Sequence, residues 1–202
     1  MMKKLFNFIA SLAVLFSCDT FAMNINLVAD KSNLNIGDTL ELQVRVSGLD
    51  DQAAPSLGVY DLNLGFDAAL FSLSAVHWGD SVLGNQLDLA GFGSLQESTL
   101  GANWLNLFEL SFDSIADLDL LQAGDFTLFS VLLTAQAIGE GNLSLWINAL
   151  GDASGNALSA TEPNGLAVTV GGVEVPEPSS LLLLLGALAI FALRVRKLQY
   201  SR

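Results

Sequence analysis

Thr39-Leu40-Glu41-Leu42-Gln43-Val44-Arg45-Val46 is the stretch that decides the fold. Leu40, Leu42, Val44 and Val46 recur at every second position, with Thr39, Glu41, Gln43 and Arg45 between them. A period of two places the apolar set on one face of a β-strand and the polar set on the other. Asn35-Ile36-Gly37-Asp38 reads as the turn before this strand, and Ile25, Leu27 and Ala29 alternate in an earlier one.

The same period continues downstream. Tyr60, Leu62, Leu64 and Phe66 alternate with Asp61, Asn63 and Gly65; Asp67-Ala68-Ala69-Leu70 makes a tight turn, and Phe71 to Trp78 begins another strand. Gly79 to Gly101 is rich in Gly, Asn and Ser and reads as a long loop around a short strand near Gln86 to Phe92. Between Trp104 and Phe112 the phase of Trp104, Phe108, Leu110 and Phe112 is assigned to the core, and Ser114 to Gln122 forms a helical turn closed by Gly124. Phe126 to Ala137 and Asn142 to Leu150 read as a hairpin about Gly139-Glu140-Gly141, and the continuous run Phe126 to Leu133 suits a strand covered on both sides or at a sheet centre. Leu166, Val168 and Val170 belong to a closing strand, and Gly171-Gly172 marks the end of the domain. Eight or nine short strands, almost no helix and turns rich in Gly, Asn and Asp predict an all-β fold, an antiparallel β-sandwich of jelly-roll type.

Both ends of the chain carry targeting features. Lys3 and Lys4 precede an apolar stretch from Leu5 to Phe16, and Thr20-Phe21-Ala22 supplies small residues before a cut between Ala22 and Met23. This is the pattern of a secretory signal peptide over residues 1–22, with the Sec machinery and signal peptidase as its partners. A retained N-terminal anchor and a degenerate lipobox that acylates Cys18 are the weaker alternatives. With the cut after Ala22 the single cysteine of the chain leaves, so the exported part has neither thiol nor disulfide and depends on its core. Its span, residues 23–174, is one domain's worth of chain.

At the other end Val175-Pro176-Glu177-Pro178-Ser179-Ser180 leads into an unbroken apolar run from Leu181 to Leu193, followed by Arg194, Arg196 and Lys197. Thirteen residues of helix reach about 20 Å, short of the ~30 Å hydrocarbon core. A buried core helix would have no use for a proline entry and a basic stop. A membrane-inserted helix does, because the three cations snorkel and hold that end in the cytoplasm.

Proline-glutamate-proline followed by Ser179, a short Leu/Ala/Gly-rich run and an Arg-rich end resembles the PEP-CTERM sorting signal of Gram-negative bacteria, covering residues 175–202 with its motif at Pro176, Glu177 and Pro178. The resemblance implies a precursor exported across the inner membrane and anchored there transiently. It also implies that an exosortase reads the motif, removes the tail and delivers the protein to the cell surface. The logic is that of a glycolipid-anchor signal, in which the apolar tail is a temporary hold.

A second resemblance is carried by Asn35-Ile36-Gly37-Asp38 with its alternating strand, by Leu57-Gly58-Val59-Tyr60-Asp61-Leu62-Asn63-Leu64-Gly65-Phe66-Asp67, by Gly124-Asp125-Phe126-Thr127-Leu128, and by Gly139-Glu140-Gly141. These segments are similar to a cohesin-type domain, a sandwich shared with cellulose-binding modules. In cohesins that fold implies non-catalytic recognition of a partner protein; in the related modules it implies polysaccharide binding. The function taken from it is analogy at the level of fold.

Charge and residue inventory narrow the chemistry. From Met23 to Pro178 there are 20 acidic residues against Lys31 and Arg45, a balance of 2 − 20 = −18. Such a surface repels nucleic acid and anionic lipid and suits an extracellular protein. A hydrolytic triad has only His77 for its base, and zinc would find almost none of its usual nitrogen and sulfur ligands. Glu109, in the middle of a strand, is the best single carboxylate for a glycosidase, but spacing names no partner for it. Asp113, Asp117 and Asp119 crowd one turn with Asp125 close behind, and Asp152-Ala153-Ser154-Gly155-Asn156 forms an oxygen-rich loop. These are candidate ligands of a structural calcium, the one cofactor considered, although solvated turn residues account for them as well. For polysaccharide the requirement is a flat aromatic platform. If Leu143, Leu145, Ile147 and Ala149 face the core, Trp146 points outward and supplies one; otherwise a loop or sheet covers it. The sequence therefore predicts a non-enzymatic surface or matrix protein of biofilm type, binding exopolysaccharide or a surface protein.

Overall fold

The computed structural model describes residues 23–50, 52 and 55–172. The expected leader with its cut at Ala22, the motif at Pro176, Glu177 and Pro178, the apolar run and the expected basic stop at Arg194, Arg196 and Lys197 lie outside the described residues. The chain divides into two compact units, Met1–Gly171 and Gly172–Arg202, and the sandwich belongs to the first.

Among the described residues, eleven strands form two sheets that enclose one core. The five-stranded sheet runs β10 (Ala160–Thr161), β1 (Met23–Ala29), β3 (Thr39–Ser47), β8 (Phe126–Ala135), β5 (Phe71–Trp78). The six-stranded sheet runs β2 (Asn33–Asn35), β11 (Leu166–Gly171), β9 (Gly139–Asp152), β4 (Leu57–Gly65), β7 (Trp104–Ser111), β6 (Ser94–Leu100). All neighbours are antiparallel except two short edge pairings, β1 with β10 and β2 with β11.

The decisive strand β3 behaves as its period requires: Leu40, Leu42, Val44 and Val46 are buried, and β1 and β8 flank it. Tyr60, Leu62 and Leu64 of β4 meet this layer from the opposite sheet, and the Tyr60 and Phe129 rings lie 5.9 Å apart. Without a disulfide in the sandwich, this apolar layer supplies the folding free energy, at about 1.5–3 kcal/mol for each large side chain removed from water. The run Phe126 to Leu133 lies in β8, between β3 and β5, inside the sheet as its composition requires.

One helix, α1 (Ile115–Leu121), is present among the described residues, in the β7–β8 connection. Ser114 caps it by accepting the Asp117 amide, as the helical turn read from sequence requires. Its C-terminal Gln122 is buried and clasps the start of β4: Leu57 N donates to Oε1 at 2.6 Å, and Nε2 donates to the carbonyls of Leu57 and Gln86. Helix and long loop are thereby fixed to one end of the sandwich. No helix among the described residues is long and apolar enough to cross a membrane.

Three sequence expectations are corrected. Phe126–Ala135 and Gly139–Asp152 do not form a hairpin, because β8 and β9 lie in different sheets. Gly139 and Gly141 serve close packing instead, since a Cβ on either would come within 3 Å of the Leu70 side chain. The strand expected near Gln86 to Phe92 is displaced to Ser94–Leu100; Gln86 and Leu87 are buried as loop residues held by side-chain hydrogen bonds. In β7 the phase is inverted: Leu105, Leu107 and Glu109 point inward, while Trp104 and Leu110 are exposed.

Candidate functional site

The outer face of the six-stranded sheet is open, and the β7 inversion changes what it carries. In register across β4, β7 and β6 lie Gly65, Trp104 and the Gly101 turn; then Asn63, Asn106 and Thr99; then Asp61, Phe108 and Glu97. On the other flank of β4, Trp146 of β9 pairs with Asn63 and Ser144 with Gly65.

Trp146 is 49% exposed, in the outward position that sequence phase allowed. Leu143 and Leu145 are buried as expected, but a register shift opposite Asp61 and Leu62 breaks the phase, leaving Ala149 exposed and Leu150 buried. The Trp146 indole lies across β4. A Cβ on Gly65 would stand 2.7 Å from its Cη2 and Cζ3, so that only a glycine leaves room for the ring to lie down. Trp104, 41% exposed, lies over Gly101 in the same manner, where a Cβ would collide with Cε2 of the ring.

Below this pair the polar side chains bind one another. Asn106 Nδ2 donates to Asp61 Oδ1 at 2.6 Å and to Asn63 Oδ1 at 2.9 Å, while Asn63 and Asp61 are each bonded to Asn148. The result is a preordered amide and carboxylate floor across three strands, with no cation on it.

Glu109 faces the interior and is fully buried. Its Oε2 accepts the Tyr60 hydroxyl at 2.8 Å, and its Oε1 accepts Asn85, Ser94 and Gln96 at 2.6, 2.6 and 2.9 Å. Burial, and then the charge and hydrogen bond of Glu109, push the Tyr60 hydroxyl well above its ordinary pKa. The carboxylate is sealed from substrate and ties β4, β6, β7 and the long loop together, which is a structural task. His77 is exposed on edge strand β5, in register with Ser130 of β8. The nearby Asp80 carboxylate is committed to the backbone amides of Val82, Leu83 and Thr127. Burial alone would raise its pKa, but these bonds prevail and hold it at about 2.

The four calcium candidates are not brought together. Asp113 Oδ2 accepts the amides of Leu89 and Ala90, Asp117 bonds Ser114, Asp119 accepts the Ser56 hydroxyl, and Asp125 accepts the Gly48 amide. In the 152–156 loop, Asp152 accepts the amides of Ser154 and Asn156, closing the loop on itself. Among the described residues no three His, Cys, Asp or Glu side chains gather as a metal-binding group.

Trp104 is the surface residue that the sequence reading missed. The signal was Asn106, which interrupts the phase assigned to the core while Leu105 and Leu107 occupy the other.

Two packed sheets in the order 10-1-3-8-5 and 2-11-9-4-7-6, with one helix between β7 and β8, define a largely antiparallel β-sandwich. Solved structures that resemble it include cohesins. A non-cellulosomal cohesin from the archaeon Archaeoglobus fulgidus is 19% identical, with a TM-score of 0.55 over 76% of this chain and 94% of that one. A type II cohesin from the cellulosome of Acetivibrio cellulolyticus is 14% identical, with a TM-score of 0.56 over 73% and 95%. The cohesin of a type I cohesin–dockerin complex from Clostridium thermocellum is 10% identical, with a TM-score of 0.57 over 78% and 99%. The likeness is one of fold. Residues 174–197 match the PEP-CTERM protein-sorting motif. No curated protein matches the sequence.

Proposed function

We propose that this chain is an exported, exosortase-processed protein whose sandwich is a non-catalytic binding domain at the cell surface or in the extracellular matrix, where it holds exopolysaccharide. The sorting motif at 174–197 supports the route: Sec-dependent export with cleavage after Ala22, transient anchoring through the apolar tail, and exosortase recognition of Pro176, Glu177 and Pro178. The observation that carries the binding role is the half-exposed Trp146 indole lying across Gly65 on an open sheet face. A flat ring held this way offers its free side to the apolar face of a sugar, and the amide floor beside it offers hydrogen bonds.

A second reading, recognition of a partner protein, is favoured by the cohesin fold itself, one of whose relatives was solved bound to a dockerin. Retention on the producing organism's purified exopolysaccharide separates the two. The first reading predicts that the protein is retained and that Trp146→Ala releases it. No retention favours the protein partner, and retention indifferent to the substitution removes Trp146 as the contact residue.

A further inference from the structure

We infer that Trp104 and Trp146 form a two-platform site for an extended, neutral, β-linked glycan that crosses the strands. This inference rests on the polysaccharide reading and adds to it a second contact residue, a chain direction and a charge class.

The spacing comes from register. Gly65, Trp104 and the Gly101 turn lie in one row across β4, β7 and the end of β6. The outer edge of the Trp146 ring, Cη2 and Cζ3, lies over the first of these positions and the Trp104 ring over the last. The two rings are therefore two strand spacings apart, about 10 Å. That is the length of a disaccharide in an extended chain, so the first and third of three successive sugars meet the two indoles while the middle sugar passes over β7. Because the row is straight and lies on an open sheet, a coiled α-linked chain would lift off between the platforms. One step along the strands, the parallel row of Asn63, Asn106 and Thr99 offers amide and hydroxyl groups to the sugar edges.

The charge class follows from the same face. Asp61 and Glu97 stand on it, neither Lys31 nor Arg45 does, and the exported region carries −18 overall. An anionic polysaccharide would meet repulsion with no cation to pair its carboxylates, whereas a neutral chain loses nothing.

The test is native affinity electrophoresis of the protein released by its own host. The matrices are hydroxyethyl cellulose, a neutral β-linked chain, and carboxymethyl cellulose, the same chain made anionic. Titration with cellobiose and cellohexaose accompanies it. Trp104→Ala and Trp146→Ala should each weaken hydroxyethyl cellulose binding about tenfold. Trp104→Ala should also abolish the advantage of cellohexaose over cellobiose, Trp104→Phe should restore most of it, and carboxymethyl cellulose should bind more weakly. Thermal melting of each variant separates loss of binding from loss of fold. If Trp146→Ala weakens binding and Trp104→Ala does not, the two-platform site is refuted and the single platform stands. Equal binding of the anionic chain refutes the charge class. No binding to either cellulose refutes the glycan class proposed here, while retention on native exopolysaccharide still decides the broader reading.

Discussion

Tyr60 donates its hydroxyl hydrogen to Glu109 across the β4–β7 ladder, 2.8 Å from Oε2, with both side chains buried between the sheets. The remaining carboxylate oxygen takes three more donors, so β6 and the long loop hang on one acceptor. Tyr60→Phe removes one bond to a charged group and should cost about 1.5–3 kcal/mol. Glu109→Ala leaves the buried Tyr60 hydroxyl, the half-buried Asn85 and Ser94 and the exposed Gln96 without their acceptor and should cost more than the single bond. Chemical denaturation of the two variants measures both. A Glu109→Ala variant as stable as the wild type would show that the network contributes nothing.

Acid should destabilise the sandwich through Asp80. Its folded pKa of about 2 lies below the ordinary 3.8, so its stabilisation is complete above that ordinary value and fades as pH falls from about 4 towards 2. The Asp152 carboxyl is also lowered: its bonds from Asn156, Ser154 and Gly155 overcome the cost of burial, and its contribution is lost on the same side. Asp80→Asn should be less stable at neutral pH and should lose less between pH 4 and 2 than the wild type. Melting temperatures across that range check the difference in slope.

Gly65→Ala tests whether the backbone sets the Trp146 platform. The new methyl would stand 2.7 Å from the indole, so the ring must rise off the sheet, at a cost of about 1–3 kcal/mol in overpacking. Indole fluorescence should shift to the red and exopolysaccharide retention should fall, although no aromatic residue has been removed. Unchanged emission and retention would mean that the ring has another resting place.

The strands that were legible in the sequence are those whose inner face is purely apolar. β3 and β4 declare themselves by period, and Asp67 to Leu70 declares its turn, closed by Leu70 N to Asp67 O. β7 was read in the wrong phase because hydrophobicity there is inverted: a carboxylate sits inside, satisfied by four donors that come from residues 13 to 49 positions away, and two aromatic residues sit outside. β6 was misplaced because it is an edge strand of Ser, Gln, Glu and Thr with little apolar signal. The glycines at 139 and 141 look like a hairpin turn in one dimension, and only the position of Leu70 shows that they make room for a side chain. Trp146 is legible because both its neighbours on the strand, Leu145 and Ile147, are apolar; at Trp104 the one local signal is Asn106, and it is outweighed by Phe108 and Leu110 on the same phase.

The most direct test of an exported, processed binding domain is the intact mass of the protein recovered from the producing cells' extracellular polysaccharide fraction. The expected product is a chain that begins at Met23, lacks every residue from Leu181 onward and is found in that fraction. A chain that still ends at Arg202 and stays with the membrane would contradict it.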